Sequence, residues 1–326
     1  MTPAKEKVVI ADCPSYEPAV LRRAVEECLA PFGGIQKIVR SGDRVLVKPN
    51  LIGIGSPESA TTTHPQLVAE VLKMILDAGG KPVIGEDPAF GSAAMISRGC
   101  GLKKLTDALG VPTINFHEPR KVSNKIRKRS RYLILDREVV EADTIFNLAK
   151  LKVHCQLYLT AAVKNVFGCV TGKRKAAWHF QLGKDRIRFA EMLVETFYTV
   201  APTFSIVDGV LGMERWGPRN GDPRHVGVLI GGVDGVALDR ICAEIIGMKA
   251  ADVPILRAAQ NLDVGGYELD RIELFGKPIA AARVSDFKKV EQMIPVEFKI
   301  PRLIKSFVKN LFIRFFDVRP AEIAAD

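Results

Sequence analysis

Nowhere in its 326 residues does the sequence hold an apolar run of the roughly 18 to 20 residues needed to span a bilayer. Its opening, Met1 to Val8, lacks the apolar core of a secretory signal. Six cysteines (Cys13, Cys28, Cys100, Cys155, Cys169 and Cys242) are scattered, and none forms a C-x-x-C pair. That pattern argues against a disulfide framework and for a reducing compartment, so a cytoplasmic protein is expected. No G-x-G-x-x-G follows the first predicted strand, which removes the standard dinucleotide fingerprint. Gly168 to Lys173 is one residue too short for a Walker loop, and Arg174 replaces the magnesium-holding Ser or Thr. There is no internal repeat and no low-complexity segment. What remains is an ordinary globular composition, 47% hydrophobic and 26% charged, on a chain long enough for one large domain or two packed lobes.

The net charge of +10 is uneven. Arg120 to Arg131 packs seven basic residues into twelve positions. A solvated loop is the leading expectation, with an anionic ligand or an acidic protein partner next. Nucleic acid is not expected, because no aromatic residue precedes Tyr132 in the run and no recognition-helix pattern is present. A second basic stretch runs from Lys299 to Arg319. Within it Ile304, Phe307, Val308, Leu311 and Phe315 share a helical face, opposite Arg302, Lys305, Ser306, Lys309 and Asn310. A basic amphipathic helix over residues 302–316 is expected to dock on the protein's own core or on a partner; a peripheral contact with an anionic membrane is the other reading.

Short β-branched runs alternate with helical patterns, which predicts βαβ units and an α/β fold of mostly parallel sheets flanked by helices. Strands are predicted at Val8–Ala11, Arg44–Lys48, Lys81–Gly85, Val111–Asn115, Asp143–Leu148, Thr203–Val207 and Val226–Ile230. Helices are predicted at Glu17–Leu29, Pro65–Asp77, Ile187–Tyr198, Gly235–Ile246 and Val253–Asn261, the last with Asp252 as N-cap. Asp234 reads as the N-cap of the helix before it. Two Rossmann-like lobes with a cleft between them are expected, residues 1–150 and 151–298, followed by the tail 299–326. Ligands in such folds sit at the carboxyl ends of strands. Polar groups fall there four times: Lys48-Pro49-Asn50, Glu86-Asp87, Asn147 to Lys152, and Asp208-Gly209.

The most informative stretch is Lys150 to His179. A helix is predicted from about Leu157, with Thr160 and Lys164 one turn apart on a shared face. Lys152 and His154 would precede its N-terminus, where free amides favour an anion. Asn165 adds an amide, and Gly168 would let backbone approach closely. His154, Cys155, Cys169 and His179 offer a donor mixture that zinc accepts, but at spacings that match no ordinary finger or ribbon. Cys155 and Cys169 read equally well as small buried apolar groups, so no metal is expected. A glycine-rich loop is predicted over Asp208 to Asp222, carrying Glu214 and Gly217, and such loops close over ligands.

The ordered series Val-Leu-Val-Lys48-Pro49-Asn50, Thr63-His64-Pro65, Gly85-Glu86, Leu-Ala-Lys150-Leu-Lys152-Val-His154, Thr160 to Gly168, Asp208-Gly209, Gly217-Pro218 and Val236 to Asp239 resembles the domain-of-unknown-function 362 family. The resemblance runs from about Val8 to Arg319 and implies one functional unit. Many relatives continue into a ferredoxin-like module, but this chain has no close cysteine cluster, so no iron–sulfur cluster is expected within it. A separate ferredoxin-like electron donor is a partner the resemblance implies. The expected function is binding of, or catalysis on, a small anionic ligand by Lys48, Lys152 and Lys164, oriented by Asn50 and Asn165, with His64, Thr160, Gly168, Glu214 and Gly217 in the same site. His154, Glu86 and Asp208 are the candidate proton-transfer groups. The alternative is a non-catalytic scaffold that docks an electron carrier through its basic surface. No particular cofactor, substrate or reaction is indicated.

Overall fold

The computed structural model describes residues 4–88, 91–172 and 174–295. The predicted tail helix at 302–316 lies outside the described residues. Among the described residues there are eleven strands: β1 (Glu6–Asp12), β2 (Arg44–Pro49), β3 (Lys81–Glu86), β4 (Thr113–Asn115), β5 (Pro119–Ser123), β6 (Tyr132–Asp136), β7 (Thr144–His154), β8 (Tyr158–Thr160), β9 (Phe204–Glu214), β10 (Asp222–Gly232) and β11 (Ile272–Gly276). Nine of them form one sheet in the order β11-β1-β10-β9-β7-β2-β3-β4, with β8 folded back on β7. The run β9-β7-β2-β3-β4 is parallel, while β10 is antiparallel to both β9 and β1. Strands β5 and β6 form a separate antiparallel ribbon. The α/β class with a mostly parallel, helix-flanked sheet is thus the observed fold. The sheet is continuous through residue 150, which lies inside β7, so both halves of the chain share one hydrogen-bonded layer.

Strand β7 explains much of this organisation. Every one of its eleven residues is buried, as expected for a central strand covered on both faces. Phe146 and Leu148 pack toward the helices Pro18–Leu29 and Pro65–Asp77, whereas Ile145, Ala149, Leu151 and Val153 pack toward the helices Arg186–Val200, Gly235–Ile245 and Pro254–Leu262. The two-residue period then carries Lys150, Lys152 and His154 onto the Phe146–Leu148 face. Helix ends are capped where the sequence suggests: Asp234 Oδ1 accepts from Ala237 N at 2.7 Å, and Asp185 caps Arg186–Val200.

Three local expectations are overturned. The helix Pro254–Leu262 has Val253 at its cap position without a side-chain bond, because Asp252 belongs to the preceding 3-10 turn Ala250–Asp252. No helix starts at Leu157. Tyr158 takes a left-handed φ of 66°, the chain turns back as β8, and the helix is only Ala162–Asn165. Thr160 therefore stands opposite Lys152 across the β7–β8 pairing instead of sharing a helical face with Lys164. The loop predicted over Asp208 to Asp222 shrinks to residues 215–221, since β9 continues to Glu214 and pairs with β10 from Asp222.

Candidate functional site

Strand order reverses at the β2–β7 pair: the chain winds outward from β2 through β3 to β4, and separately from β7 to β9. The crevice at the carboxyl ends of such a pair is where open α/β sheets place ligands. Here it is filled by a connected set of cations and amides.

Lys48, at the end of β2, donates to Glu86 Oε2 at 2.7 Å and lies 3.5 Å from Asn165 Oδ1. Glu86, at the end of β3, also accepts from the amides of Asp87 (3.0 Å) and Leu51 (3.4 Å). Asn165 uses its whole amide: Nδ2 donates to Lys48 O and Asn147 Oδ1, while Oδ1 accepts from Asn50 Nδ2 at 3.1 Å. Asn50 in turn accepts from Lys152 Nζ at 2.7 Å through Oδ1, and Lys152 also donates to Thr61 O at 2.9 Å. Asn50 lies just past β2 and so joins Lys48 on one face of the sheet to Lys152 on the other. Gly168 has the close approach expected of it: a Cβ there would sit 1.9 Å from Glu86 Oε1 and 2.8 Å from Lys48 Cε.

The electrostatics are unbalanced. Lys48 has Glu86 and Lys150 has Asp208. Lys152, 1% exposed, is bonded to neutral oxygens only, and burial together with Lys164, Lys150, Arg219 and Lys48 pushes its ammonium well below the usual lysine range. Lys164 is half-buried and its ammonium has no hydrogen-bond or ion-pair partner among the described residues. Burial, aided by Lys48 and Arg219 and opposed by Cys155 and Glu86, brings it down to about 8. Arg219 donates to Ile52 O at 2.6 Å, and burial lowers its pKa too. A pocket in which desolvated cations outnumber carboxylates is incomplete without negative charge.

His154 is 4% exposed, and burial with Lys164, Lys152 and His179 holds its pKa well below the ordinary value. Its Nδ1 accepts from Gln156 N at 3.1 Å, so the neutral ring has its proton on Nε2 and serves as a donor. The N-terminal amides of Ala162 and Val163 are not open to a ligand, because Asp239 Oδ1 accepts from them at 2.7 and 3.4 Å. That corrects the expected anion site at a helix start. Asp239 is fully buried, and burial raises its pKa to about 8.

Asp208 and His64 belong to an adjoining network. Asp208 Oδ2 accepts from Lys150 Nζ (2.9 Å) and His64 N (3.0 Å), and Oδ1 accepts from Tyr16 OH (2.8 Å). Lys150 also donates to Tyr16 OH at 2.8 Å, and the His64 ring stacks on Tyr16 at 3.5 Å. His64 Nδ1 caps the helix Pro65–Asp77 by accepting from Gln66 N, and burial lowers its pKa to about 4. These contacts hold the 60–64 loop, whose Thr61 carbonyl receives Lys152. Glu214 is turned to the 288 segment, where it accepts from Lys288 N at 2.8 Å. Gly217 lies against β7: a Cβ would meet Val153 O at 2.0 Å, and its carbonyl accepts from Cys155 N at 3.1 Å.

Cys169 is buried, with its thiol pushed up to about 12 by burial, and the His179 ring packs 4.5 Å from Phe189. Among the described residues no group of three or more His, Cys, Asp or Glu is arranged to hold a metal ion. Sequence reasoning missed Arg219, Thr61 and Tyr16 as site residues. Asn147 is expected among the polar strand ends but without a role; it bonds Asn165 and Ser205 from inside an otherwise apolar strand.

The family described as domain of unknown function DUF362 matches residues 45–244. Thylakoid-associated protein sll1697 of Synechocystis sp. is 40% identical over 301 residues, covering 92% of this chain and 93% of that protein. Among solved structures, the lactate racemase apoprotein of Thermoanaerobacterium thermosaccharolyticum matches at a TM-score of 0.45 and 10% identity, over 71% of this chain and 54% of that one.

Proposed function

This chain belongs to the DUF362 family, and we propose that it is an enzyme or cofactor-handling protein that binds a small phosphate- or carboxylate-bearing ligand at the β2–β7 crevice. Lys164 and Lys152 supply the charge for the anion, Arg219 and Lys48 reinforce it, and Asn50 and Asn165 fix the positions of the ammonium groups. One observation carries the reading: two lysine ammonium groups withdrawn from water, neither with a carboxylate partner, stand together where this topology places ligands. His154 would face the ligand as a neutral donor through Nε2. Glu86, already shared among Lys48, Asp87 N and Leu51 N, acts more readily as the counter-ion that sets Lys48 than as a base. A redox-linked reaction with a separate electron donor is compatible with the site, as is a non-redox one.

The test is calorimetric titration with inorganic phosphate and, separately, succinate. Saturable binding of at least one anion is expected. Lys164→Met should weaken it by at least about tenfold, the loss of one charge-assisted hydrogen bond. An exposed-charge control, Lys104→Gln, should leave it unchanged. Failure of both anions to bind, or equal binding by Lys164→Met, would overturn the proposal and favour a scaffold without a ligand.

Among the described residues no helix is long and apolar enough to cross a membrane. A relative named as thylakoid-associated supports placing this chain against a membrane surface, and the cytoplasm is the compartment proposed for it.

A further inference from the structure

The β5–β6 ribbon takes no part in the cationic crevice. It stands by the start of β9, where Lys125 N donates to Thr199 Oγ1 at 3.2 Å, whereas the crevice lies at the strands' carboxyl ends. Arg120, Lys121, Lys125, Arg127, Lys128 and Arg131 are all exposed, and no Asp or Glu occurs between Pro119 and Leu135. Tyr132, 39% exposed, lies beneath two of these cations: Lys121 Nζ is 4.1 Å and Arg131 Cζ 5.4 Å from its ring centre.

A solvated basic loop needs no internal support, but this one is anchored. Glu195, completely buried, accepts from the amides of Lys128 and Arg129 through Oε1 and from Asn124 Nδ2 through Oε2 at 2.9 Å. Glu191, 3% exposed, pairs with Arg129. Two buried carboxylates thus hold the turn's shape, and Lys121, Lys125 and Lys128 make no ion pair among the described residues. Beside the ribbon opens a cavity of about 320 Å³ whose lining mixes Val122, Val139 and Val140 with Lys125, Asp143 and Thr199. Val140 is 44% exposed at its edge. The acidic groups nearby are already engaged: Asp143 accepts from Arg44 N, and Glu138 and Glu141 pair with the Arg44 side chain.

We propose that the β5–β6 ribbon and the recess of mixed polar and apolar lining beside it dock the protein on an anionic lipid bilayer. A dense cationic display with one amphipathic aromatic suits a layer of phosphate headgroups, and an open recess that mixes valines with Lys125 and threonines suits the amphipathic edge of that layer. An acidic protein segment is the competing occupant, and the relative named as thylakoid-associated favours the bilayer over it. The inference rests on the membrane-facing placement above and supplies its contact surface; it is independent of the ligand in the crevice.

The experiment is co-sedimentation of the full chain with phosphatidylcholine vesicles, with and without phosphatidylglycerol. The wild type should bind the phosphatidylglycerol vesicles preferentially and be released by salt. The quadruple variant Lys121→Gln, Lys125→Gln, Lys128→Gln, Arg131→Gln should lose about fivefold per charge removed, with crevice anion binding unchanged. If that variant folds poorly, Lys125→Gln and Lys128→Gln alone should each show the fivefold loss. A wild type indifferent to phosphatidylglycerol would sink the inference and the membrane-facing placement together. Wild-type binding that survives the ribbon variants would sink the inference alone. Retention on a polyglutamate resin without vesicle binding would reassign the ribbon to an acidic protein.

Discussion

Replacing Lys164 by Met should make the unliganded protein more stable while destroying its affinity for anions. Met fills nearly the same volume, and no hydrogen bond or ion pair of the ammonium is broken, since it has none among the described residues. The pKa falls from 10.5 to about 8 in the folded state, so the charged form is disfavoured by about 3 kcal/mol. Partial solvent access at Lys164 reduces what the substitution recovers to about 2 kcal/mol near neutral pH. The sign with pH follows from the depressed value. Between 8 and 10.5 the unfolded chain holds more protons than the folded one, so wild-type stability gains through that window as the burden is relieved. Lys164→Met should lack that gain. Urea unfolding of both proteins across the window, with and without phosphate, reads both effects. A Met variant less stable than wild type, with the same pH slope, would refute the idea that Lys164 is an uncompensated cation.

Further outcomes follow from the same geometry. Lys48→Met should cost about 3–5 kcal/mol in urea unfolding, because Glu86 is left charged and buried, and adding Glu86→Gln should recover much of that loss. Asp239 has a raised folded pKa, so its contribution to stability is full below 3.8 and is lost as pH climbs to about 8. Asp239→Asn keeps the acceptor for Ala162 and Val163 and should flatten that decline, visible as a Tm nearly constant across the window. Gly168→Ala should disturb the Lys48–Glu86 pair, since its Cβ would overlap Glu86 Oε1; weakened anion binding and a lowered Tm are expected together.

Much of the fold was legible because its signals are local. β-branched runs bounded by Gly and Pro fall on the sheet strands, and helix starts are marked by Pro65 through its fixed φ and by Asp234 through its side-chain cap. The grouping of Lys48, Asn50, Lys152, Asn165 and Gly168 was also readable, because residues at the carboxyl ends of neighbouring parallel strands must meet. What misled was apolar periodicity between Leu157 and Val163, which fits a helix as well as a strand. The left-handed turn at Tyr158 and the bond from Leu159 N to Leu157 O decide for a strand, and neither has a glycine to announce it. Arg219 and Asp239 act through contacts across 167 and 77 residues, to Ile52 and to Ala162, and sequence spacing carries no such information. The extension of β9 through Asp208 was hidden by its glycines, which permit close packing on β10 as readily as a loop.

If the Lys152–Lys164 pair awaits an anion, the titration of Lys164 itself must report it. NMR of the lysine ε-methylene groups, with the resonance assigned through Lys164→Arg, gives its pKa with and without bound phosphate or succinate. Lys164 should titrate near 8 in the free protein and move back toward 10.5 when the anion binds. A Lys164 that titrates normally without ligand, or that is unmoved by either anion, would contradict that reading.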